Sequence, residues 1–107
     1  MITRAVLTAA LIAINVGLAY GADIAAGRNS ARALCVNCHV VEPNAANQKT
    51  VAADIPSFKA IAEKYGQTEG DLKVFMLEPH PPMPRVQLTT HELDNLASYI
   101  MSLKEER

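Results

Sequence analysis

The amino-acid sequence predicts an all-α protein of about four helices. Three observations support this expectation. No segment alternates apolar and polar residues with the period of two that marks a strand. Leu93, Leu96, Ala97, Ile100 and Leu103 recur at helical spacing. Capping and breaking residues (Asp23, Ser57, Thr68, Thr89, Gly66, Pro79) divide the rest of the chain into segments of helical length.

The N-terminus stands apart from this pattern. Met1 to Tyr20 carries one charged side chain, Arg4, followed by a run rich in Ala, Leu, Ile and Val. A basic start, an apolar middle and small residues at the exit match a secretory signal, with cleavage expected after Ala19-Tyr20-Gly21 and before Ala22. The alternative is a retained membrane anchor. However, the run falls short of the ~20 apolar residues of a spanning helix, and Asn15 interrupts it. The expected organisation is a signal peptide at 1–21 and one domain at 22–107. Removing Arg4 takes the formal net charge from −1 to about −2. A nucleic-acid partner is excluded on this ground, because phosphate binding requires a basic face. A domain this small, without Trp, builds a modest core and often needs a metal, disulfide or cofactor as a staple.

Asp23 is placed to cap a first helix through Ile24-Ala25-Ala26 toward Leu34, accepting hydrogen bonds from the first-turn N–H groups. Val40 to Ile55 has no clean period and holds Pro43, Asn44, Asn47 and Gln48, so it reads as a long loop. Pro56-Ser57 starts a second helix, with Phe58, Ile61, Ala62 and Tyr65 on one side and Gly66 ending it. Thr68 caps a third, with Leu72, Phe75, Met76 and Leu77 apolar and Pro79 stopping it. His80-Pro81-Pro82-Met83-Pro84 is expected to form a stiff, extended strap. Thr89-Thr90-His91-Glu92 has the capping-box spacing and opens the last helix.

The first helix leads directly into Cys35-Val36-Asn37-Cys38-His39, which contains both cysteines of the chain. Two thiols three positions apart can reach the two vinyl groups of haem and form thioethers. The following residue then brings its imidazole to the iron. This is the attachment signature of c-type haem. A redox dithiol would sit in a strand-helix context that is absent here. A structural zinc site wants four ligands, and the adjacent Cys38-His39 pair suits one tetrahedron poorly. A disulfide across two intervening residues would be strained.

An iron held by His39 has a second axial position. Met83, bracketed by Pro82 and Pro84, is the favoured ligand, because Met/His ligation raises the potential and suits electron transfer. Packing filler is the ordinary role of a methionine, and Met76 and Met101, on helices among apolar neighbours, are read that way. His80 is the rival ligand, since imidazole binds iron strongly and would lower the potential. His91, in the first turn of the last helix, is read as exposed.

Together, Gly27, the Cys35-to-His39 motif, Pro56-Ser57-Phe58, Pro82-Met83-Pro84 and Leu96-Ala97-Ser98-Tyr99-Ile100 resemble the class I cytochrome c family, in particular its small bacterial periplasmic members. The resemblance covers nearly all of Asp23 to Lys104. It implies the cytochrome c fold, with the terminal helices crossing where Gly27 meets Tyr99, and Leu96 and Ile100 packing toward the haem. It implies that the Pro56 carbonyl accepts the Nδ1–H of His39 and that Phe58 lines the pocket. Three features depart from the family: Ala31 stands where an aromatic is common, Trp is absent, and Pro56 comes late after His39. Propionate contacts are therefore open among Tyr65, Arg85 and Lys49.

The implied function is a periplasmic, monomeric carrier of single electrons with one covalent haem c, and not an enzyme. Its partners would be redox protein donors and acceptors, with transient association with membrane respiratory complexes. The site would comprise Cys35, Cys38, His39, Pro56, Phe58, Met83, Leu96 and Tyr99, with His39 and Met83 on the iron. The alternative is a haem-based ligand sensor or peroxidase-like protein with a labile sixth site.

Overall fold

Each helix begins where the sequence supplies a capping side chain. The computed structural model describes residues 21–44 and 54–105. It contains α1 (Ile24–Leu34), α2 (Phe58–Glu63), α3 (Glu69–Leu77) and α4 (Thr90–Ser102), with no strand among the described residues. The Asp23 carboxylate accepts the Ala26 N–H at 3.0 Å. Ser57 accepts from Ala60 and Thr68 from Asp71, each at 3.1 Å. At α4 the expected capping box is complete: Thr89 Oγ1 accepts the Glu92 N–H at 3.1 Å, and the Glu92 carboxylate accepts the Thr89 N–H at 2.8 Å. These side chains satisfy N–H groups that a helix start otherwise leaves unpaired.

The last helix is the hub, and α1, α2 and α3 all pack on it. The core joins Ala31, Val41, Phe58, Ala62, Leu72, Leu96, Ala97, Tyr99 and Ile100. Gly27 is what lets α1 reach α4. A Cβ there would lie 2.1 Å from the Asn95 carbonyl oxygen and 2.8 Å from the Tyr99 Cβ. The crossing is tied by a 2.8 Å bond from the Asp23 N–H to the Asn95 side-chain oxygen. Two polar links hold α3 against α4: Lys73 with Asp94 at 2.8 Å, and the Ser98 hydroxyl donating to Glu69 at 3.2 Å.

Three sequence expectations change. First, α2 ends at Glu63, because Lys64 turns out of the helix at ψ 132. Tyr65 therefore leaves the apolar face of α2 and is fully exposed. Gly66 follows at φ +74, a left-handed conformation that glycine adopts without steric cost. Second, α3 contributes less to the core than its composition suggests. Leu72 is buried and Met76, four residues on, packs against the core, whereas Val74, Phe75 and Leu77 are exposed. A helix packed on one neighbour buries one stripe. Third, the proline strap is not extended. The Met83 N–H donates to the His80 carbonyl at 3.0 Å and closes a turn across Pro81 and Pro82, whose peptide bond is cis. Leu103 lies just beyond α4 as its C-cap, and His91 is exposed as expected.

The expected signal segment lies outside the described residues, apart from Gly21, as do Lys49 and most of the loop following Asn44. Among the described residues no helix is long and apolar enough to cross a membrane.

Candidate functional site

Helical hydrogen bonding runs past the end of α1 and through the Cys motif. The Cys35 N–H donates to Ala31 O at 2.9 Å. Cys35 O then accepts the Cys38 N–H at 3.2 Å and the His39 N–H at 3.0 Å. Cys38 and His39 thus follow Cys35 by three and four residues on helical turns, the spacings that bring side chains to one face. The two thiols are not joined in a disulfide. Burial, and secondarily the neighbouring Cys38, push the Cys35 thiol up to about 11. A dithiol built for disulfide exchange needs the opposite, a lowered thiol pKa. Among the described residues no three His, Cys, Asp or Glu side chains are grouped as a metal site.

The loop after His39 folds back on the start of α2. The Phe58 N–H donates to Val40 O at 2.9 Å, and this brings Pro56 to the imidazole. His39 Nδ1 lies 2.7 Å from Pro56 O. A carbonyl only accepts, so Nδ1 carries the proton and Nε2 is the ring nitrogen with the lone pair that could serve a metal. The same bond orients the ring and raises the basicity of its other nitrogen. The Phe58 ring lies 5.3 Å from the His39 ring at an angle of 48°, and meets Tyr99 edge-on at 6.5 Å. His39, Phe58 and Tyr99 thereby form one aromatic row from the Cys motif into the core.

Tyr99 anchors the far end of that row. Its buried hydroxyl donates to Val41 O at 2.6 Å, linking α4 to the loop beyond His39. Burial raises its phenol pKa and Glu42 adds to the effect, while Arg28, 5.9 Å from the ring centre, opposes them. Arg28 and Arg32 both pair with Glu42, at 3.7 and 2.5 Å. This clamp between α1 and the loop was not anticipated from the sequence. The i,i+4 spacing of the two arginines was the available signal, but nothing local pairs them with Glu42. Val41, in a segment that the sequence presents as loop, is buried to 1% exposure.

The other expected site residues are placed as follows. Leu96 is buried on α4, close in sequence to Tyr99 and Ile100. Met83 is partly buried, whereas His80 is exposed and its ring stacks on Phe75, with centroids 5.4 Å apart and planes at 28°. Tyr65 and Arg85 are both exposed. The donor set suits a covalently attached haem: two thiols and a tautomer-fixed imidazole share one turn, and Cys35 packs against the apolar core, as do the partly buried Val36, Ile61, Met76 and Leu88.

The sequence model of the cytochrome c family matches residues 24–104. A cytochrome c-552 of Bradyrhizobium diazoefficiens is 35% identical over 101 residues, which span 94% of each chain. No solved structure matches. The helical fold, the crossing at Gly27 and the match over all four helices lead to one conclusion: the chain belongs to the cytochrome c family and is an electron-transfer haem protein with one covalent haem c.

Proposed function

We propose that this protein is a diffusible carrier of single electrons in the periplasm, exported by a cleavable signal at 1–21 and folded as one domain over 22–107. Cys35 and Cys38 hold the haem vinyl groups as thioethers, and His39 Nε2 and the Met83 sulfur are the two axial ligands. The observation that carries this reading is the 2.7 Å contact between His39 Nδ1 and Pro56 O, which orients the imidazole on the same turn as both thiols. When bound, the haem supplies a one-electron couple. Pro56 sets the His39 tautomer, and Phe58 and Tyr99 pack the ring in place. Leu96 provides a buried wall in the core beside them. Met83 is preferred to His80 because it is the less exposed of the two, while the His80 ring is engaged with Phe75. The protein acts as a monomer between redox donors and acceptors, meets membrane respiratory complexes transiently, and catalyses no reaction of its own.

Visible spectra of the purified protein, oxidised and reduced, test this assignment, together with acid-organic extraction. The expected result is haem retained in the protein fraction and a far-red absorption band of methionine-bound ferric haem. Haem lost to the organic phase refutes the thioethers. A missing far-red band with rapid carbon monoxide binding favours the labile sixth site instead.

A further inference from the structure

The turn that carries Met83 is attached to the rest of the fold through an aromatic pair on the surface. Phe75 lies on α3, two residues before the helix ends. The His80 ring stacks on it at 5.4 Å and 28°, although neither residue is part of the core. His80 in turn accepts the Met83 N–H through its carbonyl at 3.0 Å. The backbone of Met83 is thus one hydrogen bond away from a ring held against a helix. That helix is fixed by buried Leu72, by Lys73 with Asp94 and by Ser98 with Glu69. Its neighbour α4 crosses α1, which leads into Cys35 and His39. The frame that relates the two ends of the site therefore runs through α1, α4 and α3, and reaches Met83 by way of Phe75 and His80.

We propose that Phe75 and His80 are a positioning pair: their stack holds the 80–83 turn against α3 and so keeps the Met83 sulfur on the iron. Neither residue touches the iron in this account, and the inference rests on the reading of Met83 as axial ligand. It also explains why a large aromatic and a histidine are spent at exposed positions flanking the end of α3. Offset aromatic pairs hold through ring geometry as well as area. Among the described residues, the one backbone hydrogen bond of the turn is the bond that closes it.

The test is the rate at which exogenous imidazole displaces methionine from the ferric holoprotein, followed by loss of the far-red band. Phe75→Leu keeps the apolar volume and removes the stack, and is expected to raise the rate about two- to tenfold, the range an aromatic pair supplies. His80→Ala, at an exposed position, is expected to do the same and keeps the test alive if the Phe75 variant folds poorly. The double variant should go no further than either single change. Phe75→Tyr and His80→Phe, which preserve stacking, should restore the native rate. Native rates in both single variants, with the far-red band present, overturn the inference and leave Met83 as ligand. Absence of the band in the native protein overturns the ligand assignment itself.

Discussion

Replacing Gly27 by alanine places a methyl group where α4 already is. Its Cβ would stand 2.1 Å from the Asn95 carbonyl oxygen, 2.6 Å from the carbonyl carbon and 2.8 Å from the Tyr99 Cβ. An ordinary carbon-oxygen contact is about 3.3 Å, so the helices must part by roughly 1 Å. The obstacle is backbone, so no rotamer change relieves it. Overpacking of this kind costs about 1–3 kcal/mol, and stretching the Asp23–Asn95 bond adds about 1. Alanine returns up to about 1 kcal/mol of helix propensity. The net expectation is a loss of about 1–3 kcal/mol, or roughly 5–20 °C in Tm for a domain of this size. Gly70→Ala in α3 is the internal control. Its Cβ would meet only Thr68 Oγ1, at 3.8 Å, so propensity alone acts and the variant should gain about 0.5–1 kcal/mol. Guanidinium unfolding of the holoprotein, followed by far-ultraviolet circular dichroism and haem absorbance, gives both values. If Gly27→Ala is as stable as the native protein, or shifts in the same direction as Gly70→Ala, the close-crossing argument is wrong.

Other substitutions probe the remaining links. Tyr99→Phe removes the bond to Val41 O and should cost about 1 kcal/mol at neutral pH. Because burial raises the Tyr99 pKa, its contribution is whole below the unfolded value of about 10 and is lost as pH rises through the folded value. The gap between native and variant should therefore stay constant up to about pH 10 and narrow above it in unfolding measurements, and a gap that stays constant above pH 10 would exclude Tyr99 as the titrating group. Thr89→Ala breaks the α4 capping box and should cost about 1 kcal/mol, whereas Thr89→Ser should be nearly neutral by the same unfolding assay. Met83→Leu should abolish the far-red band and let the reduced protein bind carbon monoxide; an unchanged spectrum would exclude Met83 as the ligand. With a formal net charge of about −2 once Arg4 leaves with the signal segment, reduction of the protein by a partner should depend weakly on ionic strength, and stopped-flow rates that fall steeply with salt would contradict this.

Most of the helices were legible because their signals are local. Asp23, Ser57, Thr68 and Thr89 each cap the helix they precede, and the α4 period survives intact since that helix packs on three neighbours. Local signals failed where burial depends on what arrives from elsewhere. Tyr65 matches the spacing of Phe58 and Ile61, but the chain turns at Lys64 before reaching it. Phe75 and Leu77 look like core in sequence, yet α3 has one packed face and they are not on it. The three prolines correctly excluded a helix at 80–84, but not the turn that the His80 carbonyl closes onto Met83.

The sequence by itself determined the chemistry of attachment. Thioether formation depends on the spacing of Cys35 and Cys38, and an imidazole next to them follows from His39, both of which are one-dimensional facts. It also determined where helices start, because a cap acts within three residues. Only the tertiary structure decided which ring nitrogen of His39 carries the proton, since Pro56 O comes from the far side of a loop. The same holds for the Glu42 clamp, the Tyr99–Val41 tie and the stacking of His80 on Phe75. Each of these joins groups from different elements or turns, and their distance is set by how the helices pack on α4 rather than by any spacing along the chain.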